Sequence, residues 1–126
     1  MFMALITLLL FVIGGAVVIG ILIGVTLCAR VRANKGASYL DDKIPDWRER
    51  ENPVILDMSY SNTCVLGQLN RTYHVAFHKL GLDAETSISL GFRARADGSR
   101  TWFVFTWLEY KALTRAWRQI LKAEAA

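Results

Sequence analysis

The stretch MFMALITLLLFVIGGAVVIGILIGVTLCA, residues 1–29, decides how the rest of the chain is organised. It contains no Asp, Glu, Lys, Arg or His. A run of about 18 apolar residues can cross the ~30 Å hydrocarbon layer of a bilayer. At ~1.5 Å of rise per residue, residues 5–29 extend ~37 Å, which allows a tilted crossing. We therefore expect residues 1–29 to form a transmembrane helix, with the lipid bilayer as the protein's first partner.

Cations lie on one side of this segment only. Arg30, Arg32 and Lys35 follow it directly, and no Lys or Arg precedes it. A cleaved signal peptide has a positive n-region and an apolar core of about 7 to 15 residues, so this longer segment is expected to remain as an uncleaved anchor. The positive-inside rule places the N-terminus outside the cell membrane and the C-terminal part in the cytoplasm. In that reducing compartment no disulfide between Cys28 and Cys64 is expected, and acylation of Cys28 stays open.

Most of the net positive charge comes from the three cations that follow the apolar segment, and these indicate the orientation of the chain in the membrane. The formal net charge is +4, but from residue 36 onward 12 Lys and Arg face 11 Asp and Glu. A nearly neutral domain argues against specific nucleic-acid binding. We expect residues 30–38 to be a basic juxtamembrane linker and residues 39–126 to be one small domain, since the 91 residues from Gly36 onward leave no room for a second domain.

Small residues recur every fourth position inside the apolar segment. Ala16, Gly20 and Gly24 form a stripe on which a second helix can approach closely, as in GxxxG pairs. Glycine is also common in apolar helices, so self-association and an ordinary lipid-facing surface both remain open.

The pattern of residues 39–126 predicts an α+β fold with about three strands and three helices, in the order β-α-α-β-β-α. Residues 54–58 alternate as a strand does, and a helix is expected from a cap at Asn62 or Thr63 to Gly81. A second short helix is capped by Asp83 and ends at Gly91. A capping box at residues 106–109 opens the last helix, whose buried stripe is Leu113, Trp117, Ile120 and Leu121.

Residues 92–105 are predicted to form a hairpin around the turn Asp97-Gly98. One face would carry Arg93, Arg95, Arg100 and Trp102. Two arginines opposite one another favour an anionic ligand or an acidic partner, and a tryptophan beside them offers a stacking platform. An ordinary solvated strand face is the alternative.

Catalytic and metal sites are not expected. Cys64 opens a helix, where its thiol would be activated, but His74 and His78 follow ten and fourteen residues along the same predicted helix, ~15 to 21 Å away. The two histidines at i, i+4 lack further ligands for a metal. We expect no cofactor and no metal.

The run Cys64-Val-Leu-Gly-Gln68, followed by Leu80-Gly-Leu82, Leu90-Gly-Phe92 and Leu113-Thr-Arg-Ala-Trp117-Arg118, resembles a small uncharacterised domain family of actinobacteria and their phages. The resemblance covers residues 44–120 and departs at Asn70, where that family has Gly. It implies a phage or prophage origin and no particular activity.

The sequence thus favours a non-enzymatic, single-pass membrane protein that recruits or modulates an unknown protein partner at the inner membrane face. A membrane-tethered cysteine hydrolase using Cys64 and a membrane-proximal nucleic-acid binder are the alternatives.

Overall fold

The computed structural model describes residues 1–95 and 103–125, and these residues form helices joined by turns. The helices in the described residues are α1 (Phe2–Lys43), α2 (Trp47–Arg50), α3 (Val65–Asn70), α4 (Tyr73–Lys79), α5 (Ala84–Ser89) and α6 (Phe103–Ala125). The described part of the chain contains no strand, so the predicted α+β fold is wrong.

The segment predicted as the first strand, residues 54–58, is a series of turns. Leu56 and Met58 are buried in the core and Ile55 is exposed, as the alternation predicts, but Val54, predicted on the same face as Leu56, is exposed too. The backbone N–H of Met58, however, donates to Oγ1 of Thr114 on α6, and that of Asp57 donates to the Thr63 carbonyl. Side-chain and loop acceptors therefore take the place of a neighbouring strand.

The predicted hairpin of residues 92–105 is also wrong where the structure describes it. Residues 92–95 are irregular, and α6 already begins at Phe103, three residues before the predicted capping box. The turn Asp97-Gly98 lies outside the described residues. Glu109, expected to cap this helix, instead pairs with Arg32 of α1.

Helix α1 is a single helix of 42 residues that runs through residues 30–38, where the sequence suggested a linker. Ala29, Ala33, Gly36, Ala37 and Leu40 are buried on one side of this part of α1. Residues 2–24 are exposed along their whole length. Helix α1 is therefore the one helix in the described chain that is long and apolar enough to cross a membrane, and its second part belongs to the core.

The long helix expected to end at Gly81 is divided into α3 and α4. Arg71 between them has a φ of 72°, a left-handed conformation that ends α3. Thr72 then caps α4 by accepting from the N–H of Val75. Gly81 and Gly91 have positive φ and Asp83 accepts from the Thr86 N–H, so the predictions for these three residues are confirmed.

The core is centred on Trp117 of α6. Its ring is stacked on Phe92, with centroids 5.6 Å apart, and meets the edge of Trp47 at 5.8 Å. Its indole N–H donates to the Gly91 carbonyl at 2.9 Å. Of the stripe predicted on α6, Leu113, Trp117 and Leu121 are buried, and Ile120 is partly buried against the core.

Candidate functional site

The surface between α1 and α6 is the most distinctive feature of the described chain. The two helices run side by side in the same direction, because Val25 adjoins Leu108 and Ala112 while Gly36, further along α1, meets Trp117. A Cβ added at Gly36 would lie 2.7 Å and 2.9 Å from two ring atoms of Trp117 and even closer to the Leu90 carbonyl oxygen. The absence of a side chain at Gly36 thus brings α1 into close contact with the domain.

Arg32 connects α1 with α5, with α6 and with the segment that follows Phe92. Its guanidinium donates to the carboxylate of Glu109 on α6, to the Ile88 carbonyl at 2.7 Å and to the Arg93 carbonyl. The Arg32 side chain is 6% exposed and that of Glu109 is 14% exposed. Glu109 also accepts from the N–H of Arg95 at 3.0 Å. Because the charges are buried and paired, loss of one partner would leave the other charge unsatisfied.

The first two turns of α6 expose apolar side chains beside the apolar part of α1. We call Val104, Phe105, Trp107 and Leu108 the α6 apolar tip. The first three of these residues are exposed. Phe105 shares a groove with Ile21 and Gly24, and Trp107 and Leu108 share another with Leu22 and Val25. The α6 apolar tip therefore lies level with residues of the uncharged segment.

Of the three cations predicted to set topology, Arg30 and Lys35 are exposed and Arg32 is buried. Arg30 also donates to the Gln119 side chain at 3.4 Å. Helix α6 adds two exposed cations, Lys111 and Arg115, one and two turns after Trp107. The Lys111 ammonium lies 5.5 Å from the centroid of the Trp107 ring. A band of positive charge thus follows the apolar surfaces of both helices.

The small-residue stripe is exposed in the part of the chain that the structure describes. At ~100° per residue, Gly20 lies ~180° around α1 from the buried Ala29, and Ala16 and Gly24 each lie ~140° from it. Apart from the adjoining atoms of α1 itself, no atom of the described residues lies within 4 Å of a Cβ built at Gly20 or Gly24. Gly24 borders the groove that contains Phe105, whereas Ala16 and Gly20 face away from α6.

The predicted basic face is only partly described. Arg95 is exposed and Arg93 is half-buried, and both follow the core residue Phe92 in an irregular segment. Arg100 and Trp102 lie outside the described residues. The structure therefore brings Arg93 and Arg95 to the end of the domain that contains Arg32 and Glu109.

Cys64 and His74 line one pocket of about 180 Å³, together with Tyr60, Tyr73 and Tyr110. The break at Arg71 separates α3 from α4, so Cys64 and His74 do not lie along the single helix that was predicted and instead border one pocket. Cys64 is nevertheless 2% exposed and caps α3, its sulfur accepting from the Gly67 N–H at 3.3 Å. Burial raises the pKa of the Cys64 thiol to about 11, which opposes formation of a nucleophilic thiolate.

Glu51 is a buried acid that the sequence did not single out. Neither of its carboxylate oxygens has a hydrogen-bond partner among the described residues. Burial raises the pKa of Glu51 to about 8 against the opposing effect of Arg50. A neutral carboxyl group is therefore the favoured form near pH 7.

Among residues 1–95 and 103–125, no three His, Cys, Asp or Glu side chains form a group that could hold a metal ion. Sequence reasoning missed the pairing of Arg32 with Glu109 and the burial of Gly36. The sequence did contain a signal for this burial. Ala29, Ala33 and Ala37 continue the four-residue spacing of small residues beyond Arg30 and Arg32, which indicates that the helix continues with one closely packed side.

Comparison of the chain with protein-family models, with curated proteins and with solved structures finds no match in any of the three.

Proposed function

We propose that this chain is a single-pass membrane protein that acts without catalysis, by holding or modulating a protein partner at the inner face of the cell membrane. The continuity of α1 carries this proposal. The helix that is long enough to cross the bilayer is also the helix on which the domain packs, through Gly36 and Arg32. A domain joined in this way works at a fixed height and angle above the bilayer, which suits a partner that is itself in the membrane.

The proposed orientation has the N-terminus outside and the domain in the cytoplasm. Exposed Arg30 and Lys35, which directly follow the apolar segment, support this orientation. C-terminal fusions to a reporter that is active only in the cytoplasm, and to one active only outside it, test it. We expect activity from the first fusion alone. Activity from only the second would overturn the orientation.

Exposed Arg95, with Arg93, Arg100 and Trp102 nearby in sequence, is the proposed partner-binding surface. Photo-crosslinkers placed at Arg95 and, as a control, at the exposed Ser89 are used in the full chain in living cells. A membrane protein that is crosslinked from position 95, and is no longer crosslinked when Arg93 and Arg100 are both replaced by Glu, supports the proposal. Crosslinking that is unaffected by this double replacement removes its basis.

A duplex-DNA binder would instead show DNA retention that weakens steeply with salt, since phosphate contacts release counterions. The phage or prophage origin implied by the Cys64–Gln68 resemblance belongs to the same proposal.

Self-association is proposed through Ala16 and Gly20, which face away from α6. Gly20→Ile is expected to abolish the dimer that an amine-reactive crosslinker traps in membranes under reducing conditions. An undiminished dimer would exclude this stripe as the interface.

A further inference from the structure

We infer that the α6 apolar tip is inserted into the bilayer leaflet next to the domain, beside α1, as a second and non-spanning membrane contact. The ligand of this surface is the boundary between lipid headgroups and acyl chains. This inference rests on the proposed function in one respect, since it requires α1 to cross the membrane.

The depth of the α6 apolar tip follows from its neighbours on α1. Phe105 borders a groove whose lining on α1 begins at Ile21 and Gly24 and extends to Arg32. Ile21 and Gly24 precede the first cation, Arg30, by nine and six residues. At ~1.5 Å of rise per residue, the far end of this groove lies ~9 to 14 Å along the helix axis before Arg30. Amphipathic helices at membrane surfaces bury their apolar face ~5 to 10 Å into this boundary. If α1 crosses the bilayer, the α6 apolar tip is in the bilayer too. Keeping the tip in water would require the neighbouring uncharged residues of α1 to leave the bilayer as well.

The composition of the tip fits the same location. Residues 103–108 contain no charged side chain, and Val104 and Trp107 are 63% and 54% exposed. Tryptophan is enriched at membrane interfaces, where its ring is apolar and its N–H reaches the headgroups. The Lys111 ammonium over the Trp107 ring and the exposed Arg115 one turn later then lie at the level of anionic headgroups. Along α6, as along α1, an uncharged apolar segment is thus followed by basic residues.

The test measures membrane depth in the full chain, reconstituted in vesicles of phosphatidylcholine and phosphatidylglycerol. A Cys28→Ala background is used, because Cys28 is exposed and Cys64 is buried. Single cysteines carrying an environment-sensitive dye replace Leu10, Trp107 or Ile55, and quenching by brominated lipids is recorded. Ile55 is the matched control: it is 53% exposed, as Trp107 is 54% exposed, and the neighbouring Leu56 carbonyl is bound by Arg118 towards the other end of α6.

We expect the dyes at positions 10 and 107 to be quenched several-fold more strongly than the dye at position 55. Strong quenching at 10 with none above the control at 107 would overturn the inference and leave the membrane anchor intact. No quenching at 10 would refute the anchor, and the inference with it. Position 107 could instead contact a second copy of the chain. A crosslink between two chains at position 107, without quenching by lipid, would also overturn the inference.

Discussion

Replacing Gly36 by Ala tests whether α1 is part of the core. Alanine has the higher helix propensity, so in an open helix the change would stabilise by about 0.5 to 1 kcal/mol. At Gly36 the new Cβ would lie 2.7 Å and 2.9 Å from the Trp117 ring and closer still to the Leu90 carbonyl oxygen. Backbone and a stacked tryptophan cannot move away easily, and overpacking of this kind costs about 1 to 3 kcal/mol. Displacement of Trp117 would also break its hydrogen bond to Gly91, worth about 1 kcal/mol.

The net effect of Gly36→Ala is therefore a loss of about 1 to 3 kcal/mol, or roughly 5 to 20 °C in melting temperature for a domain of this size. Thermal unfolding of the full chain in detergent micelles, followed by near-UV circular dichroism, measures it. Gly14→Ala is the matched control, because outside the adjoining part of α1 no atom of the described residues lies within 4 Å of a Cβ at Gly14. We expect the control to melt at or above the wild-type temperature. If both variants melt at or above that temperature, α1 does not pack on Trp117 and Leu90 as described.

The remaining predictions concern buried polar groups. The pKa of Glu51 is raised from 4.5 to about 8, so its stabilising contribution is complete below pH 4.5 and is lost as the pH rises through 8. At 1.36 kcal/mol per unit, the unfolding free energy should fall by on the order of 5 kcal/mol across this window, and Glu51→Gln should remove the fall; a flat wild-type profile would contradict the burial. Glu109→Leu leaves the Arg32 charge buried and unpaired and should cost about 3 to 5 kcal/mol in chemical denaturation, with Arg32→Met restoring much of it. A double variant no more stable than Glu109→Leu would show that the pair does not hold α6 to α1. In a Cys28→Ala background, iodoacetamide should modify Cys64 only after unfolding, since the thiol is buried and its pKa is about 11; rapid labelling of the native chain, read by mass spectrometry, would revive the hydrolase alternative.

Local signals in the sequence predicted several features correctly. The apolar segment, the positive φ at Gly81 and Gly91, the cap at Asp83 and the buried stripe of α6 all depend on neighbouring residues only. Such features are set by composition, spacing or backbone sterics, so a single sequence carries them.

The wrong predictions involve contacts between distant residues. Alternation over residues 54–58 predicted a strand, but the Met58 N–H binds Thr114, 56 positions away, and no sheet forms in the described residues. A polar composition over residues 30–38 suggested a linker, yet Gly36 lies against Trp117 of α6 and Arg32 pairs with Glu109 of the same helix. Tertiary contacts therefore overrode local propensity at both places.

The candidate site was the least predictable part. The α6 apolar tip resembles a hairpin strand in sequence, because Phe, Val and Trp favour strands when considered alone. Only the position of Phe105 beside Ile21 and Gly24 identifies it as a surface next to the apolar segment.

Amide hydrogen exchange over residues 30–43 of the full chain in lipid nanodiscs tests most directly whether one helix serves both as membrane anchor and as part of the core. A continuous, packed α1 predicts slow exchange across this segment, comparable with that of α6 at residues 112–121, because every amide in it is bonded within the helix and one side is buried. A linker between the anchor and the domain would exchange completely at the shortest labelling time over residues 30–38. That result would contradict the continuity of α1 and, with it, the fixed placement of the domain above the membrane.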